Sequence, residues 1–235
     1  MIVFIICCST TTIYGQLTQS KTQFGIQYRP IIPNRFIGQN IEDFEYLPAP
    51  SFSGTFKQLL GYSAGIAIRH SFNSYFSFET GINFVKRNYL FNYVAIDSGL
   101  SAESDVSFIG YDIPMNGLVY VQLSKLWFMN ASAGLNIGFY PSSVESQNID
   151  ATTSEIFKQI TKPRRKTQIG LNINYGFEMR TEKTGTFYFG LSYMLPFKYI
   201  AVNQLTWVHN GTDYWTNEEV NGSFLTFDLK YFFPN

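Results

Sequence analysis

Residues 205–215 read LTWVHNGTDYW and set a base, His209, close to a hydroxyl, Thr212, and an acid, Asp213. An imidazole oriented by a carboxylate is the pair that activates a nucleophile for acyl transfer. Nothing in this stretch marks the nucleophile itself, so a solvated loop is the expected setting of His209. The second histidine, His70, precedes Ser71. It falls at the end of an alternating segment and on its apolar parity, a position that suits an interfacial ring of amphipathic side chains better than catalysis. No H-x-E, H-E-x-x-H or paired-cysteine spacing is present, so no metal site is expected. Catalytic residues and cofactors are therefore expected to be absent.

A different chemistry is suggested by the basic run Lys162-Pro163-Arg164-Arg165-Lys166. Lys162, Arg164, Arg165 and Lys166 are groups that bind phosphate, as a fork from arginine or a point charge from lysine. The run lies where a long connection rejoins an alternating segment, and a lipopolysaccharide phosphate is the ligand it would meet there. The long connections also hold aromatics, namely Phe36, Phe44, Tyr46, Phe52, Tyr93, Trp207, Tyr214 and Trp215. Trp207, Tyr214 and Trp215 in particular are candidates for contact with a partner, because aromatics on loops held by a rigid scaffold make good anchors. The sequons at Asn210 and Asn221 read as turns, since Asn-Gly is a turn dipeptide.

What must position these groups follows from the pattern of the chain. Among 235 residues, charged side chains make up 14% and aromatics 18%, with 23 Phe and 16 Tyr. Ordinary soluble domains carry roughly 25% charged residues. Yet no apolar run approaches the ~18–20 residues of a membrane-spanning helix. The formal net charge is zero, so bulk charge points to no nucleic acid. The first residues, MIVFIICCSTTTIYGQ, combine a short apolar core with small and polar residues, which predicts a signal peptide over 1–15 and a mature domain over 16–235. Both cysteines, Cys7 and Cys8, lie in that leader, leaving no thiol for the mature domain.

Eight segments alternate strictly between apolar and polar residues: 22–32, 61–71, 75–88, 108–123, 127–140, 167–180, 187–197 and 223–233. Alternation is the mark of a strand with two unlike faces, and these lengths suit tilted strands crossing a bilayer. Short links at 72–74, 124–126 and around 181–185 alternate with long connections. That rhythm predicts an all-β, eight-stranded antiparallel up-and-down transmembrane barrel with both termini on the turn side, the periplasm. Pro114, inside the fourth segment, is read as a bulge.

The polar parity of the segments collects Arg29, Arg69, Glu79, Asp112, Glu178, Asp228 and Lys230, and in the central part of the strands no charge falls on the other parity. Their companions there are glycine, asparagine and serine rather than the dense charge of a water-facing sheet. Small residues and opposite charges fit the crowded inside of a narrow barrel, with the apolar parity turned to lipid. An interior of eight strands is filled by side chains, whereas aqueous porins use 16–18.

The run Tyr111-Asp112-Ile113-Pro114-Met115, a strand to Leu123, a short turn and the Gly-rich strand Trp127 to Gly138 resemble the PorT-like outer membrane protein β-barrel family of Bacteroidetes. The resemblance covers about 23–233 and implies a small Gram-negative outer-membrane barrel, of the OmpX or OmpA kind, with no assigned activity. The ending Leu229-Lys230-Tyr231-Phe232-Phe233 looks like the terminal aromatic signal read by barrel-assembly machinery, with Pro234 and Asn235 following it. The expected function is a non-enzymatic scaffold, in contact with outer-membrane lipid and lipopolysaccharide, that presents four external loops for binding or for support of an envelope or secretion complex. The rival readings are an outer-membrane lipid-modifying enzyme and an exported lipocalin-like barrel with an apolar interior.

Overall fold

The computed structural model describes residues 21–33, 41–46, 51–97, 99–149 and 156–234. The expected signal peptide, with Cys7 and Cys8, lies outside them, as do Phe36 and the side chain of Phe44. The described residues form fourteen strands: β1 (Lys21–Ile32), β2 (Ile41–Tyr46), β3 (Phe52–Gln58), β4 (Gly61–Ser71), β5 (Phe76–Ala95), β6 (Leu100–Gln122), β7 (Trp127–Phe139), β8 (Val144–Ile149), β9 (Ile156–Pro163), β10 (Thr167–Thr181), β11 (Gly185–Pro196), β12 (Ala201–His209), β13 (Thr212–Val220) and β14 (Phe224–Phe232). The sequence pattern predicts eight; the other six lie in stretches it leaves as long loops.

The pairings fall into two layers. From β5 the hydrogen-bonded neighbours run through β4, β1, β14, β11, β10, β7 and β6 and return to β5. All these pairs are antiparallel. The second layer stands on one end of this ring. There β2 and β3 add to the upper part of β5, which pairs with the upper part of β6. A separate sheet runs in the order β13, β12, β9, β8.

The two layers share β5 and β6, and along those strands the faces change character while the parity is kept. The buried side of β5 reads Ser77, Glu79 and Asn83 in the ring, then Tyr89, Phe91, Tyr93 and Ala95 beyond it. Its other side reads Phe76, Phe78 and Ile82, then Lys86, Asn88 and Asn92. On β6 the buried side changes from Asn116 and Asp112 to Phe108 and Val106, and the exposed side from Val119, Ile113 and Tyr111 to Ser107, Asp105 and Glu103. A strand polar inside and apolar outside becomes one that is apolar inside and polar outside. Such a change occurs where the surroundings change from hydrocarbon to water.

The second layer has an aromatic core of its own. Phe52, Phe56, Tyr89, Phe91, Tyr93, Val106 and Phe108 face Phe157, Leu205, Trp207 and Val220 from the separate sheet. Trp207 stacks on Phe157 at 6.1 Å and meets the edge of Phe52 at 6.1 Å, while Phe157 lies 5.6 Å from Tyr93. Two sheets packed face to face bury their inner residues as a sandwich does, and each large apolar side chain so buried contributes about 1.5–3 kcal/mol. At one edge the Ser104 and Ser146 hydroxyls, on β6 and β8, hydrogen-bond. At the other, Tyr46 of β2 meets Tyr214 of β13 at 6.2 Å.

Local sequence explains the turns. Asn210 and Gly211 take φ values of 50° and 76°, the two-residue turn whose twist matches a hairpin. Thus 205–215 is the β12–β13 hairpin rather than a loop. Pro114 makes no bulge. The β5–β6 ladder keeps one register on both sides of it, Asn83↔Asp112 and Thr80↔Met115, and is interrupted only between them. The missing proline N–H removes a rung without adding a residue.

Candidate functional site

The interior of the ring is built by the polar parity of its strands. Arg69 on β4 donates from Nε and Nη2 to Glu79 Oε2 at 3.0 and 2.8 Å, and from Nη1 to Glu178 Oε2, on β10, at 2.7 Å. Lys230 on β14 donates to the other Glu79 oxygen, and Arg180 to the other oxygen of Glu178. Asn130 Nδ2 completes this network at 3.3 Å from Glu178. The Arg69 guanidinium also lies 4.0 Å from the centre of the Phe232 ring, and that of Arg180 4.0 Å from that of Phe128. Three cations face two carboxylates. A carboxylate or guanidinium stripped of water costs several kcal/mol unless it is paired and hydrogen-bonded, and here both carboxylates have each oxygen engaged.

A second network lies nearer the middle. Arg29 Nε donates to Asp228 Oδ1 at 3.1 Å, and Asp228 also accepts from Thr226, Ser192 and Asn174. The Tyr188 hydroxyl donates to Asn174 Oδ1 at 2.6 Å. Tyr188 lies across Gly176 and Gly190, where any Cβ would run into its hydroxyl. Gln27 bonds Asn83 at 2.6 Å, and Asn172 bonds Asn116 at 3.2 Å. Toward the second layer, Arg87 donates to the Tyr140 hydroxyl at 2.7 Å and to the Gly222 carbonyl at 3.0 Å. Asp112 is buried within electrostatic reach of Arg87 and Arg29. Strands on opposite walls are thus tied through the interior, which suits a filled core rather than an aqueous path.

All seven interior charges predicted from parity are buried: Arg29, Arg69, Glu79, Asp112, Glu178, Asp228 and Lys230. Arg69, Glu79, Glu178 and Lys230 come together in the first network, Arg29 and Asp228 in the second. Arg87 and Arg180 escaped the sequence reading. Both could have been found by counting, since Arg87 shares the parity of Glu79, and Arg180 that of Glu178.

The expected loop sites fare differently. Trp207, a candidate for partner contact, is fully buried between two sheets and cannot reach a partner. Tyr214 is half-buried against Tyr46 and Trp207, and Phe52 and Tyr93 belong to the same core. Trp215 is 54% exposed. His209 and Thr212 face each other across the hairpin, whereas Asp213 pairs with Val208. Neighbouring positions on a strand point to opposite faces, so Asp213 is turned away from His209. His70 Nδ1 and the Thr22 hydroxyl share a hydrogen bond of 2.8 Å, and the ring lies against Phe72.

In the basic run Lys162, Arg164, Arg165 and Lys166 are all exposed. Lys162 ends on β9 beside Val202, and Arg164 pairs with Glu219 on β13. Both members of that pair are nearly half exposed, so it contributes only about 0–1 kcal/mol. Arg164 and Arg165 border a groove that continues to Lys198. Among the described residues no group of three or more His, Cys, Asp or Glu could hold a metal ion.

Residues 23–201 match the model of a family described as outer membrane protein beta-barrel domain. No curated protein matches the sequence. Among solved structures, the outer membrane protein OprG from Pseudomonas aeruginosa aligns over 91% of this chain and 96% of its own, with a TM-score of 0.52 and 9% identity. Identity that low speaks for a shared fold alone. The β domain of the Bordetella autotransporter BrkA aligns over 91% of this chain and 100% of its own, with 10% identity and a TM-score of 0.25, too low to carry an argument.

Proposed function

Because the chain belongs to the outer membrane protein beta-barrel domain family and so lies in an outer membrane, we propose that it is a non-enzymatic integral barrel whose eight-membered ring of strands is closed and spans the bilayer. In this reading the short links β4–β5, β6–β7 and β10–β11 and both termini face the periplasm. The second layer then stands outside the cell as a folded platform in place of four separate loops. Its role is binding or support of an envelope or secretion complex, in keeping with the PorT-like resemblance.

One observation carries the reading. The ring strands turn Phe24, Ile26, Ile66, Ile82, Ile113, Leu135, Ile173, Leu191 and Leu229 outward and keep their ion pairs inside. An apolar band outside a hydrogen-bonded ring satisfies every requirement of lipid. A lipocalin-like barrel needs the reverse arrangement. A lipid-modifying enzyme needs a base and its acid on one face, and the hairpin separates His209 from Asp213.

The test is the mobility of the outer-membrane fraction in SDS, boiled against unboiled, together with conductance in planar bilayers. A band that runs compactly until heated, with no steady current, supports a closed and filled barrel. A heat-insensitive band, or a chain released by carbonate without detergent, overturns it.

A further inference from the structure

The groove beside Arg164 and Arg165 lies where both layers join, between the β9–β10 link and the β11–β12 link. We propose that it is a binding site for a phosphorylated glycolipid of the outer leaflet, held by Arg165 and Lys198 above an apolar floor. The inference rests on the second layer facing outward.

The groove has a volume of about 330 Å³, and its walls are tied to each other. Arg164 N donates to the Ile200 carbonyl at 3.0 Å, Phe197 N to the Ile169 carbonyl at 3.1 Å, and Gln168 Nε2 to the Ile200 carbonyl at 2.6 Å. Two links that would otherwise move independently therefore hold one shape. The lower wall is Ile169, Phe197 and Tyr199, exposed by 49%, 59% and 45%. Phe139, opposite Thr167, and Tyr111, opposite Phe139, continue this rim around the ring. Aromatics at the end of an apolar band mark the headgroup level.

The cations stand just above that level. Arg164 is neutralised by Glu219, whereas Arg165 and Lys198 have no carboxylate partner among the described residues. A phosphate placed between them gains two charge-assisted contacts. Gln168 braces the groove from within, its Nε2 committed to the Arg165 and Ile200 carbonyls. Phosphate and an acyl chain meet in one molecule, and in the outer leaflet of an outer membrane that molecule is a phosphorylated glycolipid. A free phosphate would leave the apolar floor without a partner.

The full mature chain in detergent should be titrated with bisphosphorylated lipid A and with its dephosphorylated form, and bound lipid counted by native mass spectrometry. The double variant Arg165→Gln/Lys198→Gln is expected to bind the phosphorylated lipid about tenfold more weakly, from the loss of charged hydrogen bonds. Lys125→Gln/Lys183→Gln, at the opposite rim, should bind as the parent does. Heat-shifted mobility of both variants checks folding. Equal loss in both variants, equal binding of the dephosphorylated lipid, or displacement of the lipid by inorganic phosphate overturns the site. Orientation is tested apart from it, by labelling Ser101→Cys in intact cells with an impermeant maleimide. Labelling supports the site's placement at the outer leaflet, and failure to label overturns the orientation even where lipid binding persists in detergent.

Discussion

Arg69 and Glu178 are separated by 109 residues, lie on strands that do not pair with each other, and meet inside the ring at 2.7 Å. The contact spans the interior from β4 to β10, and Glu79 and Lys230 extend it to β5 and β14. Four walls are thereby fixed by one cluster. The same cluster that fills the interior also constrains how the strands close.

Arg69→Met is expected to destabilise the protein by about 3–5 kcal/mol, because it strands the buried Glu79 and Glu178 carboxylates. The temperature at which the compact band converts to the extended one in SDS should fall markedly. An unchanged conversion temperature would refute the cross-wall role.

Trp207→Ala removes the centre of the second core and should cost that layer about 3–5 kcal/mol. Limited proteolysis should then cut β9, β12 and β13 while the ring keeps its heat-shifted mobility. Trp215→Ala, on the exposed face, should stay within about 0.5 kcal/mol. If the two variants behave alike, the buried core is misassigned.

Gly190→Ala places a methyl group against Tyr188, whose Cζ is 2.7 Å from the Cβ position, and against the Tyr175 carbonyl. Overpacking of this kind costs about 1–3 kcal/mol. Chemical denaturation in detergent should show the loss, and Tyr188→Phe in the same background should not restore it, since the ring itself is in the way.

His209→Ala should leave the lipid A mass spectrum of the cell unchanged, as should deletion of the whole protein. A lost or gained acyl chain in the deletion strain that reappears with the parent but not with His209→Ala would restore the enzymatic reading.

How much of this was legible beforehand differs between the two layers. Counting by twos placed Arg29, Asp112 and Asp228 on one parity, and the structure buries that parity because one side of each ring strand points into a crowded space. The same count stopped too early on β5. Beyond Arg87 the buried parity turns apolar, with Tyr89, Phe91 and Tyr93, so the pattern that means lipid outside ends, while the strand continues to Ala95. The hairpin at Asn210-Gly211 was readable from its dipeptide and flanking alternation, yet the length of the connection favoured a loop.

The order of side chains by itself determined which residues can share a face, because strand geometry alternates and chemistry does the sorting. It also determined where tight turns and a rung-breaking proline must fall. Tertiary structure alone decided that Trp207 is core rather than contact, that Asp213 points away from His209, and that Arg165 shares a groove with Lys198. Those outcomes depend on register between strands far apart in the chain. A shift of one residue exchanges the faces, and only the packing of both layers selects among the registers that local sequence leaves open.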